Sequence, residues 1–272
     1  MKVPAGIEVI LHGKLPRACS GKDVILHLLA MIGVDGALYR SLEFVGRGAG
    51  TLSMDDRFTI ANMAVEAGAK NAMFRVDDVT MAYCRSRAKR PWMTILYDEY
   101  PRYERVIDID LDQLTPLVAC PHLPSNCRPA SELGDVRLDQ VVIGSCTNGR
   151  IGDMEIAAYI LKGRKVAKDL RCIIIPATKD VYAECLRRGY AEIFTDAGCI
   201  LSMPTCGPCL GGHMGILAKG EVALSTTNRN FVGRMGDTGS LVYLGSPATA
   251  AASAVCGVIT DPANWMPKED GV

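Results

Sequence analysis

Two cysteines three positions apart, Cys206 and Cys209, lie in the stretch MPTCGPCLGGHMG, with His213 just behind them. A third, Cys146, ends the apolar run VVIGS and is followed by TNGR. Thiolates so spaced can form a redox dithiol, ligate zinc or hold corners of an iron–sulfur cluster. A dithiol pair opens a helix after an apolar strand, whereas Cys209 runs into Gly211 and Gly212, which open a helix poorly. Structural zinc asks for a second ligand pair, and no other C-x-x-C is present. Cys120, Cys127 and His213 remain as material for an assembled Cys₃His site. Burial as apolar thiols is the ordinary fate of cysteine and is expected for Cys19, Cys84, Cys172, Cys185 and Cys256. It accounts poorly for a turn so rich in Gly and Pro. The iron–sulfur reading takes Cys146 as a third thiolate from another strand end. It leaves one iron open to a hydroxyl and a carboxylate, a Lewis acid like a catalytic zinc with a vacant position.

Other chemistry-bearing residues lie in STTNRNFVGRMG, where Arg229 and Arg234 flank Gly233. Two guanidinium forks suit bidentate capture of a di- or tricarboxylate. Asn62 and Glu66 are four residues apart, hence on one face of a helix. By spacing alone Glu66 reads as a surface carboxylate.

These residues need elements to position them. GIEVILH (6–12) alternates as a strand, 22–34 reads as a helix with a glycine near its end, and 38–46 as a strand. SMDDRFTIANMAVEAGAK (53–70) reads as a largely buried helix that starts at Ser53, carries acids in its first turn and ends at Gly68. A strand (71–76) and a helix (78–88) follow. From Pro91 to about Leu138 six prolines weaken the pattern, which reads as a connector between two modules. The second half alternates strand (141–146), helix (153–163), strand (171–177) and helix (180–189), with a small-residue helix at 248–257. Such alternation indicates a parallel α/β sheet, whose ligands bind at the carboxyl ends of the strands. GSCTNGR and STTNRNF both lie at such ends.

The 272 residues are 49% hydrophobic and 22% charged, enough for a sizeable core. Lys+Arg and Asp+Glu are both 30, so no global charge draws the chain to nucleic acid. MKVPAGIEVILHGK has no signal-peptide pattern and no run is long enough for a membrane span. With eleven cysteines and no export signal, a reducing cytoplasm is expected.

GSCTNGR (144–150), TCGPCLGGHMG (205–215) and STTNRNFVGRMG (225–236) together resemble the motifs of the aconitase superfamily, and within it the large subunits of 3-isopropylmalate dehydratase and homoaconitase, archaeal type. The likeness extends over essentially the whole chain, since MDDRFTIANMAVEAGAK also resembles a family segment. It implies an aconitase-like α/β fold of two three-layer modules with mostly parallel sheets, expected at residues 1–115, holding Glu66, and 116–272, holding the cysteines and arginines. It implies a [4Fe-4S] cluster on Cys146, Cys206 and Cys209, with Cys199 matching no ligand position. Asn62, Asn228, Arg229 and Arg234 match substrate-binding positions and Glu66 an active-site carboxylate, while His213 matches a structural place. The implied reaction is a hydro-lyase isomerisation of a hydroxy di- or tricarboxylate, as in the isopropylmalate step of leucine biosynthesis. Homoaconitase or a non-catalytic cluster-binding protein are the alternatives. The implied partner is the dehydratase small subunit, which carries the base. The family's first domain, with its own histidines and aspartates, is expected outside this chain, either because the chain is a shortened form or because another chain supplies it. His12, His27 and His122 then read as structural. Full activity of the chain by itself is not expected.

Overall fold

The computed structural model describes residues 2–95, 98 and 101–266. Alternation of period two builds β1 (Ala5–His12), with Ile7, Val9 and Leu11 buried. Then come α1 (Gly21–Ile32), capped by Ser20 and closed by Gly33, β2 (Arg40–Val45), α2 (Met54–Met63), β3 (Asn71–Phe74), α3 (Asp78–Arg85) and β4 (Arg105–Asp110). The four strands form an all-parallel sheet in the order β3-β2-β1-β4.

The second sheet gathers β5 (Leu117–Ala119), β6 (Cys127–Pro129), β7 (Gln140–Gly144), β8 (Arg171–Ile175), β9 (Ile200–Leu201), β10 (Val222–Ser225) and β11 (Leu241–Leu244), ordered β6-β5-β11-β10-β7-β8-β9. Only the two pairings made by β5 are antiparallel. Helices α4 (Ser145–Asn148), α5 (Ile151–Leu161), α6 (Lys179–Arg187), α7 (Tyr190–Ala197) and α8 (Pro247–Cys256) complete this half. The chain therefore forms the mixed α/β architecture with mostly parallel sheets that its rhythm predicts. No helix among the described residues is long and apolar enough to cross a membrane.

The two sheets share a helical layer. α1 is buried from Gly21 to Asp23 and from Val24 to Leu26, again at Leu28 and Leu29, which is the burial of a helix enclosed on all sides. Its side chains join one core with Ile7, Val9 and Leu42 of the first sheet and with Val142, Ile173 and Leu244 of the second. The alternate residues of the second sheet, Val141, Ile143, Ile174 and Leu224, face a separate core against α5, α7 and α8. Both faces of that sheet are thus apolar, as parallel strands require. In this sheet β8 and β9 lie to one side of β7, and β10 and β11 to the other. The chain reverses its direction of travel between β7 and β10, and at such a switch point the strand ends part into a crevice.

Three sequence expectations are modified. The helix read over 53–70 is α-helical only to Met63 and then tightens into a 3₁₀ turn, Ala64–Ala67, ended by Gly68 in the left-handed region. Tightening to three residues per turn shifts the apolar face, and Val65, within the helix read as largely buried, is 50% exposed. The strand read over 141–146 ends at Gly144, and Cys146 lies inside the single turn α4. The connector read from Pro91 to Leu138 holds β4, β5 and β6. Ile107 and Ile109 of β4 are buried while Asp108 and Asp110 face outward, the pattern of an edge strand. Within that stretch Leu96, Tyr97, Glu99 and Tyr100 lie outside the described residues.

Candidate functional site

The crevice between β7 and β10 is built from strand ends. At the end of β7, Gly144 has φ +125°, and a Cβ there would stand 1.9 Å from the Ile175 carbonyl oxygen. Glycine is the residue this approach admits. Ser145 follows at φ +69°, and the bend it makes carries Cys146 out to an exposed position. At the end of β10, the chain runs through Thr226 and Thr227 to Asn228 and Arg229.

A hydrogen-bonded network spans the crevice and the end of α2. Thr147, beside Cys146, has its hydroxyl 3.2 Å from Asn62 Oδ1 and 3.4 Å from Asn228 Oδ1. Asn228 Nδ2 donates to Glu66 Oε1 at 3.1 Å. Arg229 Nε reaches both Glu66 oxygens at 2.9 and 3.1 Å, leaving its two terminal nitrogens without a side-chain acceptor in the network. Backbone contact seats α2 on the cysteine turn, for Thr59 Oγ1 donates to the Thr147 carbonyl at 2.9 Å and receives Asn148 Nδ2 at 3.3 Å. Thus Asn62, Glu66, Asn228 and Arg229, from two distant stretches of sequence, are brought together.

Glu66 is 6% exposed, not the surface carboxylate its spacing suggested. The 3₁₀ turn rotates it inward. Burial raises its carboxyl above the ordinary range, opposed by the charge and hydrogen bonds of Arg229, the hydrogen bond from Asn228 and the charge of Arg234.

The C-x-x-C stretch follows β9. Cys209 N–H donates to the Cys206 carbonyl at 2.9 Å, closing a 3₁₀ turn over Gly207–Leu210. This single turn keeps the two cysteines close along the chain, Cys206 at its cap and Cys209 within it. Gly211, at φ +66°, ends it close against the Arg234 carbonyl. Arg234 Nη2 lies 3.9 Å from Cys209 Sγ. Cys206 is exposed and Cys209 only 8% exposed. His213 is tied to Thr205 Oγ1 at 2.8 Å and braces the turn.

The other cysteines divide as follows. All eleven are free thiols. Cys172 and Cys185 are buried as expected, Cys19 and Cys84 are half-buried, and Cys256, the last residue of α8, is exposed, against expectation. Cys127 donates to the Leu26 and Pro124 carbonyls, and burial pushes its thiol up to about 12. Among the described residues no three His, Cys, Asp or Glu side chains converge on a point where one metal ion would sit, so the Cys₃His arrangement is not assembled.

A cubane is a different demand, because its thiolates bind separate irons and stand further apart than ligands of a single ion. The donor set here is the Cys206/Cys209 pair after β9 plus Cys146 after β7, with β8 between these two strands. Among the described residues, the buried Ser145 Oγ, next to Cys146, and the buried Arg234 Nε, in the side chain that reaches Cys209, have no partner. Orphaned donors at that place suit the anionic sulfides of a cluster. The residues present fit the group.

Two features escape sequence reasoning. Thr147 is the hinge of the network, and a threonine after a strand-end cysteine carries no distinctive signal. Lys22 is fully buried; its Nζ donates to the carbonyls of Thr226 at 2.9 Å and Thr227 at 2.6 Å. Burial pulls its ammonium down to about 7, against the charges of Asp23, Asp153, Cys209 and Glu66.

Comparison with known proteins gives the following. A family model described as the aconitase family (aconitate hydratase) matches residues 1–133 and 126–257. The 3-isopropylmalate dehydratase large subunit of Lachnoclostridium phytofermentans is 61% identical over 261 residues, 96% of this chain and 62% of that protein. Its counterpart from Caldicellulosiruptor bescii is 59% identical over 270 residues, 99% of this chain and 63% of that protein. The chain thus spans less than two thirds of the length of these curated relatives. A crystal structure of Thermococcus kodakaraensis aconitase X in its holo-form overlaps 87% of this chain and 54% of that one, with a TM-score of 0.44 and 12% identity.

Proposed function

The chain belongs to the aconitase family, and from that premise we propose that it is the cluster-binding part of a 3-isopropylmalate dehydratase-type large subunit, a hydro-lyase of leucine biosynthesis working in the cytoplasm. The observation that best supports this is the network joining Asn62, Thr147, Asn228, Glu66 and Arg229 beside Cys146, with Arg234 at Cys209.

In this reading Cys146, Cys206 and Cys209 hold a [4Fe-4S] cluster. When bound, the group supplies a Lewis acid for the hydroxyl that departs and returns. Arg229 binds one substrate carboxylate through its terminal nitrogens, since Glu66 occupies its Nε, and Arg234 presents a second guanidinium beside it. Asn62 and Asn228, oriented through Thr147, fix the register of the hydroxy acid in the crevice. Glu66 holds a proton more readily than an ordinary carboxyl, which suits it to exchange one with the hydroxyl or the water that leaves. The base that removes the carbon-bound proton belongs to the small subunit, and the remaining polar groups to a further domain or chain. Water is lost across one carbon–carbon bond and added back in the other orientation.

Anaerobic reconstitution with iron and sulfide tests the site. About four irons and four sulfides per chain, with visible absorbance, are expected. Both are lost in Cys146→Ser. Tightly bound zinc, or no iron uptake, overturns the reading. Addition of the small subunit and the missing part of the large subunit then gives isopropylmalate dehydration.

A further inference from the structure

Lysine is rarely buried without a charged partner, and a cation in the first turn of a helix opposes the helix dipole. Lys22 is 0% exposed, occupies the first turn of α1 and has two backbone carbonyls, not a carboxylate, as hydrogen-bond partners. Those carbonyls belong to Thr226 and Thr227, the two residues immediately before Asn228 and Arg229.

Thr226 in turn grips the neighbouring strand. Its Oγ1 accepts the Gly144 N–H at 2.8 Å and donates to the Gly144 carbonyl at 3.2 Å, and its own N–H donates to the Val142 carbonyl at 3.0 Å. Gly144 stands two residues before Cys146. Thr227 is held locally, its N–H donating to Ser225 Oγ at 3.1 Å. α1 is itself anchored next to Lys22, for Asp23 Oδ1 accepts the Leu117 N–H at 3.0 Å and Asp23 Oδ2 the Ser20 N–H at 2.8 Å.

We propose that Lys22 is a positioning residue, which holds the end of β10 from α1 and, through Thr226, sets the Asn228–Arg229 loop against the Cys146 turn. A long apolar side chain would fill the same space, so packing alone does not require the ammonium. What the ammonium adds is two fixed donors at the point where the chain leaves the sheet for the substrate loop. The clamp stands on this geometry, while its effect on substrate rests on the hydro-lyase reading above.

The test compares Lys22→Met, close in length but without donors, with the parent and with Lys22→Arg. Hydrogen exchange is measured in this chain over residues 144–148 and 225–230, alongside the thermal midpoint. Losing charged hydrogen bonds predicts exchange faster by about tenfold or more in those two stretches. The midpoint is expected unchanged or raised, because an apolar replacement of a buried charge is often neutral or stabilising. In the holoenzyme assembled with the small subunit and the rest of the large subunit, KM for isopropylmalate rises by about tenfold with kcat and iron content held, and Lys22→Arg recovers part of the loss. Unchanged exchange in both stretches overturns the proposal. So does exchange raised uniformly along the chain with a lowered midpoint, or an active enzyme whose KM does not move. If the parent does not turn over isopropylmalate, the hydro-lyase reading fails and the exchange pattern still decides the clamp. Should Lys22→Met not fold, Lys22→Gln, which keeps one donor pair, is judged by the same exchange pattern.

Discussion

Glu66 is contested by two influences of opposite sign. Burial favours its neutral form; Arg229, Asn228 and Arg234 favour the carboxylate, and burial prevails. The native carboxyl therefore titrates above its ordinary value of 4.5. A group whose native pKa is raised binds its proton more tightly when folded. Its contribution to stability is complete below 4.5 and is lost as pH rises through the native value. Glu66→Gln, which cannot ionise, removes that loss. Midpoints of variant and parent followed from about pH 4 to about pH 8 should diverge in the variant's favour as pH rises. Curves that run parallel would mean that the two influences cancel, and divergence in the parent's favour that Arg229 prevails and Glu66 is a plain ion-pair partner. The same substitution removes the negative charge that competes for Arg229, so a dicarboxylate should bind Glu66→Gln at least as tightly as the parent; weaker binding would count against Arg229 as a carboxylate fork.

The element that presents Glu66 and Asn62 is held from behind. Arg57, on α2 and 2% exposed, makes a two-pronged pair with Asp77 at 2.7 and 2.6 Å, and reaches Thr80 Oγ1 and the Ala49 carbonyl. Asp77 also caps α3 by accepting the Thr80 N–H at 3.0 Å. Hydrogen bonds from Arg57, above all, hold the Asp77 carboxyl down at about 2. A depressed acid contributes stability that is present above its unfolded value of 3.8 and lost as pH falls through about 2. Asp77→Asn leaves a buried guanidinium without a counter-charge. It should cost about 2–3 kcal/mol, less than a fully buried pair because Asp77 is a third exposed, and should flatten the acid limb of the stability curve. A urea midpoint within about 0.5 kcal/mol of the parent would sink this account. Elements of this kind were legible where a cap and a period agreed: Ser53 and the two acids after it announced α2, and alternation announced β1. The tightening after Met63 was not, because 3₁₀ and α-helical turns share the same residue preferences and so short a stretch shows no period that tells them apart. β4 hid behind its aspartates, and β5 and β6, three residues each, are too short to show a period. At the site, Cys146 stood out as a thiol at a strand end, and Arg229 and Arg234 as two guanidinium groups flanking a glycine. Lys22 did not, because a lysine near a helix start reads as solvated until a second layer is known to cover it.

At the scale of the whole molecule, the family resemblance divides the chain near residue 115, and the first sheet uses residues 5–110 while the second uses 117–244. We propose that 1–115 and 116–272 are topological modules and one thermodynamic unit. α1 belongs to the first by sequence, yet the core it fills includes Val142, Ile173, Ile175, Ala223, Val242 and Leu244 of the second. Re-exposing six such side chains at about 1.5–3 kcal/mol for each large one would forfeit an amount comparable to the about 5–15 kcal/mol that keeps an ordinary domain folded. Neither half should then survive alone. Expressed separately, 1–115 and 116–272 should lack cooperative thermal unfolding, while the whole chain melts in one transition with equal calorimetric and van 't Hoff enthalpies. A 116–272 fragment that melts cooperatively near the parent's midpoint would make the second sheet an independent domain. The distinction bears on the site, because the cysteines and arginines come from one module and Asn62, Glu66 and Lys22 from the other. If the core is shared, a packing change under α1 moves Lys22, and with it the loop of Asn228 and Arg229. Ile25→Ala, a cavity well away from the crevice, should then cost about 2–5 kcal/mol and weaken dicarboxylate binding as well. Equal stability loss from Ile160→Ala, on α5 in the other core, should leave binding unchanged.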